Sequence, residues 1–549
     1  MKLQKLLFIV LILVVLIGLV PLFSSSFYLS HDGQAHVARF AAYYKSFLDG
    51  QFPLRWAGDL NYRYGSPVFI FFYPLPGIIA IFLHLLGASF ENTYKFIVGF
   101  SFILSFISFY IWTKEHFRKE VAIAGSIIYG LVPYHILNMY VRGGIGEILA
   151  VAILPLCFYF IDKIIKEKAF KHSVFGGIVF AFLILSHNSV SFLFAFILLA
   201  YGILNLKEKK DLLNIFYFFT LGISLAAFFW IPALLYGKYI NASLLTGDIY
   251  KIHFASIWKL IYSPWGFGPN VNEQGGLSPQ VSIPLFVLSL ASFFLIIKLS
   301  YNRKNIIFWL FVFALGIFLS NSISSFIWQK SSFLKLFQFP WRMMVLSSFA
   351  SSVLATYVIN SLLKKKIFFL LIIVFIIVPS FFLIQTRQIP QKSDSFYLNY
   401  RYTTYYFGEA TSIWTAGDFG EFPKAPLEIF SGGKFKQITR KSNLHIFETK
   451  TKKDSGVVDN TVYFPGWHVK IDGKEVPIQF QDPNYRGLIT FNVPKGNHIV
   501  EVKFRETKLN LVSDFISLGS LIFVIIYLLF MKKNSVNNRK IHKKQKKVN

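Results

Sequence analysis

The sequence predicts a polytopic α-helical membrane protein of about twelve crossings with a C-terminal extracytoplasmic β-sandwich-like domain. Three observations predict it. More than half of the residues are apolar, 64 of them Phe, and they gather in uninterrupted runs of about 20 residues, the length that spans a hydrocarbon core. The formal charge of +29 is divided among short clusters between those runs and a Lys-rich tail, the positive-inside pattern. After residue 386 the apolar runs stop and short alternating segments replace them, the period of half-buried strands.

The first run, 6–23, follows Lys2 and Lys5 as a signal peptide would. It exceeds the usual apolar region of one, and no small-residue cleavage site follows cleanly, so it is expected to remain as the first helix. The basic clusters at Lys114 to Lys119, Lys163 to Lys171, Lys207 to Lys210, Lys298 to Lys304 and Lys364 to Lys366, and the tail from Lys532, should share the cytoplasmic side with the N-terminus. An even number of spans must then separate each from the next. Three apolar runs precede Lys114, at 6–23, 67–87 and 94–113, so one of them cannot cross. Pro67, Pro74 and Pro76 remove helical hydrogen bonds from the second, and Gly77 and Gly87 weaken it. It is expected as a re-entrant or interfacial hairpin on the outer side, its backbone covered by protein.

The remaining crossings are expected at 121–138, 148–161, the two halves of 173–206 split at Ser186-His187-Asn188, 212–236, 281–299, 306–323, 342–362, 367–385 and 511–531, with both termini cytoplasmic. Outer loops fall at 24–93, 139–147 and 238–280. The transmembrane domain is thus expected at 1–385, the β domain at 386–510, the last helix at 511–531 and a basic tail at 532–549. Within the β domain, Asp472-Gly473 between alternating segments signals a two-residue hairpin, and Pro494-Lys495-Gly496 turns into a further strand.

Composition also excludes function classes. The basic balance reports topology and contact with anionic lipid, so the lipid bilayer is an expected partner and nucleic acid is not. The single cysteine, Cys157, excludes an internal disulfide and a cysteine zinc cluster. There is no GxGxxG or GxxxxGK[ST], and the RGGIGE glycines lack a strand-turn-helix context, so no nucleotide cofactor is expected. Chemistry outside the membrane must then draw on a donor already in it.

The candidate residues concentrate in the first polar stretch, Tyr28 to Pro67. Asp32 has a bland role available, the N-cap of the amphipathic segment Gly33 to Leu48. His31, His36 and Arg39 lie within two helical turns of it, and His36 and Arg39 share a face. A carboxylate beside imidazole and guanidinium suits an acceptor hydroxyl, a metal or a phosphate. Arg55 lies further along the same stretch. Glu147 and Arg142 stand in the second outer loop, where an acid also favours a helix N-terminus. Parity puts Asp32 and Glu147 at one membrane face. His187 sits at another outer apex, in LSHNS, where hydrogen-bonded structure is the ordinary role. Arg342, in FPWR, suits an interfacial anchor or a bidentate phosphate clamp. Trp341, Trp230, Trp258 and Trp265 are read as belt residues.

Several of these motifs together resemble a known family. HDGQAH after the first helix, Arg55-Trp56, Tyr64-Gly65-Ser66-Pro67, Phe72-Tyr73-Pro74-Leu75-Pro76, RGGIGE, LSHN and FPWR resemble the membrane proteins labelled 6-pyruvoyl-tetrahydropterin synthase-related, although nothing resembles the soluble pterin enzyme. YFPGWHVKIDGKEVPI at 463–478 resembles the outer domain of YfhO-like membrane proteins. Both groups are similar to the GT-C glycosyltransferases. That resemblance implies a GT-C-like transmembrane domain, a polyprenyl-phosphate-linked sugar as donor and an extracytoplasmic acceptor in the cell envelope. It carries the first-loop acid onto Asp32 and the second-loop acid onto Glu147. The pattern here is His-Asp-Gly, without a second acid beside Asp32.

The implied reaction is an inverting sugar transfer at the cell membrane, with Asp32 and Glu147 catalytic and His31, His36, Arg39, Arg55, Arg142, His187 and Arg342 binding substrate. A divalent metal (Mg, Mn or Zn) would fall to Asp32, Glu147 and His36. A transporter or flippase predicts ionisable residues deep in the spans, and these spans are almost free of them. A non-catalytic scaffold for envelope assembly is the third reading.

Overall fold

The structure, a computed structural model, describes residues 2–298, 302–405, 408–415 and 419–548. Among the described residues seven helices are long and apolar enough to cross a bilayer: Leu3–Phe23, Phe90–Thr113, Ile145–Glu167, Asn188–Asn205, Arg303–Ser320, Pro340–Ser361 and Lys508–Lys533. Two bent pairs, Lys119–Gly130 with Pro133–Arg142 (41°) and Lys209–Leu225 with Ala227–Tyr239 (71°), bring the number among the described residues to nine if each is one span. Pro133 accounts for the first bend. A proline drives the residue before it out of the helical region, and Val132 stands at φ −56°, ψ 133°.

The expectation of about twelve crossings is not met on length. Phe170–Ser186, Ile283–Ile297 and Lys366–Phe381 form where crossings were expected, but each has 17 residues or fewer. At 1.5 Å per residue they reach about 25 Å at most, short of a core of about 30 Å. Leu75–Leu85, in the segment expected to be re-entrant, has only 11 residues.

Burial separates the spans into an inner and an outer set. Pro340–Ser361 is 94% and Ile145–Glu167 78% buried, whereas the last helix is 11% buried. The two inner helices both begin at the same polar centre, with Arg342 and Glu147 in their first turns. At the other end of Ile145–Glu167, buried Asp162 accepts from Trp112 Nε1 (2.8 Å), His116 Nε2 (2.6 Å) and Tyr201 Oη (2.9 Å). That carboxylate is fully partnered, as a buried charge must be.

Among the described residues there are ten strands: β1 (Phe27–Leu29), β2 (Arg387–Ile389), β3 (Leu427–Ile429), β4 (Gly433–Lys441), β5 (Leu444–Thr451), β6 (Ser455–Val462), β7 (Trp467–Ile471), β8 (Lys474–Val476), β9 (Leu488–Val493) and β10 (Gly496–Phe504). A five-stranded sheet ordered β4-β5-β10-β7-β8 packs on a three-stranded sheet ordered β3-β6-β9, around Phe447, Val457, Trp467, Ile489, Phe491 and Val500. Every pairing is antiparallel. The Asp472-Gly473 turn closes β7 onto β8 with φ of 50° and 80° at its two residues, the pair of left-handed conformations that a twisted two-residue hairpin requires.

The two sheets occupy 427–504, less than the 386–510 expected. Residues before β3 instead form a strap along the first loop. β2 pairs with β1, Asp394 accepts from the Phe90 N–H at 2.9 Å, and Tyr397 donates to buried Glu91 at 2.6 Å. Where the strap passes residues 61–63, Tyr62 donates its N–H to the Arg401 carbonyl at 2.5 Å. Asn61, Tyr62 and Arg63 all have positive φ (55°, 57° and 73°). For residues with a Cβ each such conformation costs about 1–2 kcal/mol. The neighbouring hydrogen bonds from Gly65 N–H to Leu60 (3.0 Å) and from Asn61 N–H to Tyr402 (3.3 Å) hold this left-handed turn in place.

Candidate active site

The first loop and the loop before Ile145–Glu167 meet through their backbones. His31 N–H donates to the Val141 carbonyl at 3.0 Å and Asp32 N–H to the Arg142 carbonyl at 2.8 Å. Gly143 makes the meeting possible. It lies at φ +68°, and a Cβ there would crowd Ser30 Oγ, Tyr94 Oη and the Gly33 nitrogen, so any other residue would push the two loops apart. Residues 139–147, expected as a short outer loop, are buried throughout, with Asn138–Arg142 wound as a π-helical turn.

Glu147 and Asp32 stand in opposite environments. Glu147 is 1% exposed; its carboxylate accepts from Arg142 Nη1 at 2.6 Å and from Tyr134 Oη at 2.6 Å. Arg142 also donates to Asn138 and lies over the Trp341 ring at 4.5 Å. Both Glu147 oxygens are therefore engaged. Asp32 is half-buried and occupies the N-cap position of Gly33–Leu48, yet makes no side-chain cap bond. Its backbone is helical (φ −108°, ψ −8°), outside the extended conformation from which a cap side chain reaches back to the first turn. Among the described residues its carboxylate has no hydrogen-bond or ion-pair partner. It acts electrostatically on Arg142, Arg342 and Tyr73.

Arg342 is held by its own loop. Nη1 donates to the Phe337 carbonyl (3.1 Å) and to Gln338 Oε1 (2.9 Å), and the guanidinium lies 4.8 Å over Phe339. No carboxylate among the described residues is within ion-pair distance of it. Its Nε is buried without a partner, as are Trp341 Nε1 and His253 Nδ1 nearby. The His253 and Phe339 rings are 4.6 Å apart edge to face. Burial, and then the charge of Arg342, push the His253 imidazole down to about 4.

Of the other predicted residues, His31 meets the Phe267 carbonyl at 2.9 Å through Nε2, which brings the 238–280 loop to the site. His36 Nδ1 accepts from Arg39 at 3.1 Å. Burial, with Arg39 second, holds His36 well below the usual imidazole range and hence neutral. Arg39 donates to Thr404 of the strap and lies 3.7 Å over Phe72. His187 takes the structural role, accepting the Val190 N–H at 3.2 Å as a helix cap. Its ring lies 5.1 Å from Tyr73.

Arg55 is not brought to this centre. It donates to Asp514 (2.6 Å) and to the Phe228 carbonyl (2.7 Å), and pairs with Glu506 at 3.5 Å, fastening the first loop to the start of the last helix. The expected metal set does not assemble either. No group of three His, Cys, Asp or Glu among the described residues is placed to hold an ion, and the Glu147 oxygens are already taken. Sequence reasoning missed Tyr134 and His253, which no local motif marks, and took Trp341 for a belt residue although it adjoins Arg342.

A model of the 6-pyruvoyl-tetrahydropterin synthase related domain, a membrane protein family, matches residues 69–388. That range contains Arg142, Glu147, His187 and Arg342 and begins after Asp32. No curated protein sequence matches the chain. The fold is similar to the arabinofuranosyltransferase AftD from Mycobacteria (11% identity, TM-score 0.42, 69% of this chain and 26% of that one). It is also similar to the apo oligosaccharyltransferase of Archaeoglobus fulgidus (15%, 0.43, 72% and 56%). ArnT from Cupriavidus metallidurans, bound to undecaprenyl phosphate, is a third (11%, 0.29, 64% and 77%). This chain thus spans about a quarter of the first of these and just over half of the second. The family match takes in more than half of the 549 residues, including the buried Arg142–Glu147 pair, and by it the chain belongs to the 6-pyruvoyl-tetrahydropterin synthase related membrane proteins.

Proposed function

We propose that the protein transfers a sugar from a polyprenyl-phosphate donor to a hydroxyl of an extracytoplasmic acceptor, with inversion. The observation that carries this reading is a carboxylate, Asp32, that is unpartnered among the described residues and lies within electrostatic reach of an arginine, Arg342, that no described carboxylate pairs with. The motif resemblance to GT-C glycosyltransferases supplies the donor class. Asp32 takes the proton from the acceptor hydroxyl as its oxygen attacks the anomeric carbon. The bond from that carbon to the phosphate oxygen breaks on the opposite face. Phosphate leaves without a general acid, its growing charge met by the Arg342 guanidinium.

Glu147 has a different part from the one first expected. With both oxygens bonded it serves as an ionised anchor that fixes Arg142 and Tyr134 at the floor of the site. This scheme uses Asp32 and Arg342 without calling on a metal. The site faces outward at the cell membrane, with the β domain outside and both termini inside. Labelling of single cysteines at exposed Lys434 or Glu421 checks that sidedness, since 139–147 is too buried to label. Purified protein given a panel of polyprenyl-phosphate sugars tests the activity. Turnover by wild type that Asp32→Asn abolishes supports it, and turnover retained by Asp32→Asn sinks it.

A further inference from the structure

We infer that a second, saccharide-binding surface, built from residues other than Asp32, Glu147 and Arg342, lies where the first loop, the strap and the segment before β3 converge. Tyr62, Tyr402 and Phe422 come from these three parts of the chain and meet edge to face. Tyr62 is 5.5 Å from Tyr402 at 88° and 5.5 Å from Phe422 at 72°, and Tyr402 is 6.0 Å from Phe422 at 67°. Each edge-to-face contact covers one face of one ring only, so faces of this cluster stay open, unlike the Tyr463–Phe480 pair of the β domain, whose faces close on each other at 3.9 Å and 4°. Tyr402 is 51% and Phe422 46% exposed.

Lipid accounts for the exposed rings on the spanning helices, but not for these. The loop that carries Tyr62 is tied to the β domain on either side, through Val462 N–H to the Tyr64 carbonyl (2.8 Å) and Ser442 N–H to Asp49 (2.7 Å). Tyr62 is also displayed by a turn of three consecutive left-handed residues. Strain of that kind persists where the surrounding structure enforces it, and such outliers gather at ligand sites. A pyranose ring suits the surface. Its axial C–H face is apolar and rests on an open aromatic face, while its rim hydroxyls need polar partners. Tyr62 and Tyr402 supply hydroxyls, and exposed Arg63 and Glu421 adjoin Tyr62 and Phe422 in the chain. The surface is independent of the transfer reaction and uses none of its residues.

The test is binding of maltotetraose, cellotetraose and chitotetraose to the full-length protein in nanodiscs, read by saturation-transfer NMR and titration. At least one is expected to bind with transfer strongest to its axial C–H protons, and Tyr402→Ala with Phe422→Ala to weaken it about tenfold. Phe422→Leu keeps an apolar side chain while removing the ring, so it separates loss of the face from loss of folding and should weaken binding too. Asp32→Asn, inactive in transfer, should bind as wild type does, which keeps this surface distinguishable from the active site. Binding by none of the three saccharides, or binding unchanged in both ring variants, overturns the inference.

Discussion

The backbone N–H of Asp32 is bonded to the carbonyl of Arg142 at 2.8 Å, and Arg142 holds Glu147 at 2.6 Å. One acid is thereby positioned through its main chain and left free at its carboxylate, while the other is consumed in positioning. The pair looks alike in sequence and divides the work in space.

Asp32→Asn should therefore remove activity without cost to the fold. No hydrogen bond or ion pair of its side chain is lost, so the thermal midpoint should match wild type while transfer falls by about two to four orders of magnitude, the usual worth of a general base. Parallel unfolding and single-turnover assays check both halves.

Glu147→Ala should do the reverse. It strands Arg142, which is 5% exposed, and breaking a buried pair costs about 3–5 kcal/mol. Expression and thermal stability should drop together, and Glu147→Leu combined with Arg142→Met should restore part of the loss. A double-mutant cycle on detergent-solubilised protein measures the coupling.

Arg342→Lys keeps the charge but loses the planar fork. Donor KM is expected to rise about tenfold, with a smaller fall in kcat, because a point charge replaces bidentate contact. Initial rates against donor concentration give the two separately.

Arg55→Met should leave chemistry intact and loosen the architecture. Its guanidinium is 3% exposed and answers both Asp514 and Glu506, so its loss leaves burial pressing on the Glu506 carboxyl, already raised above its ordinary range despite Arg55. Faster limited proteolysis of the strap, with turnover per folded molecule unchanged, is the expected result.

In the β domain, Asp459 is fully buried and accepts from His445 (2.8 Å) and Thr461 (2.6 Å). Burial works against its charge, yet His445 and Arg440 hold it below the ordinary 3.8. A depressed carboxyl contributes stability above its unfolded value and loses it as pH falls through the folded one. Acid unfolding of the sheets should steepen below about pH 4, and Asp459→Asn should flatten that limb. Near-ultraviolet circular dichroism against pH reads it.

Much of this was legible beforehand. Apolar run length located the helices, and the prolines of 67–87 fall where that run breaks into the short helices Val68–Phe71 and Leu75–Leu85. The Asp472-Gly473 turn appeared where alternation placed it, because a two-residue hairpin has few chemical solutions. The count of about twelve is not reached on helix length: the helix Lys366–Phe381 is apolar but for Lys366 and Ser380, yet apolarity alone does not set how much of a run winds into helix. In the site, residue type pointed to Asp32, Glu147 and Arg342. It did not tell which acid was already bonded, since Tyr134 reaches Glu147 only through the bend at Pro133. Nor could it show Arg55 turning away toward Asp514, 459 positions on.

That last bond bears on how the protein is made. Arg55 leaves the ribosome long before Asp514 and Glu506 exist, so through most of synthesis it lacks the two carboxylates that hold it in the finished fold. The fastening of the first loop at Arg55 is complete only once the final helix is made. A chain cut short after the sheets should be recognised as unfinished by the cell's quality control, even though every residue of the polar centre is already present.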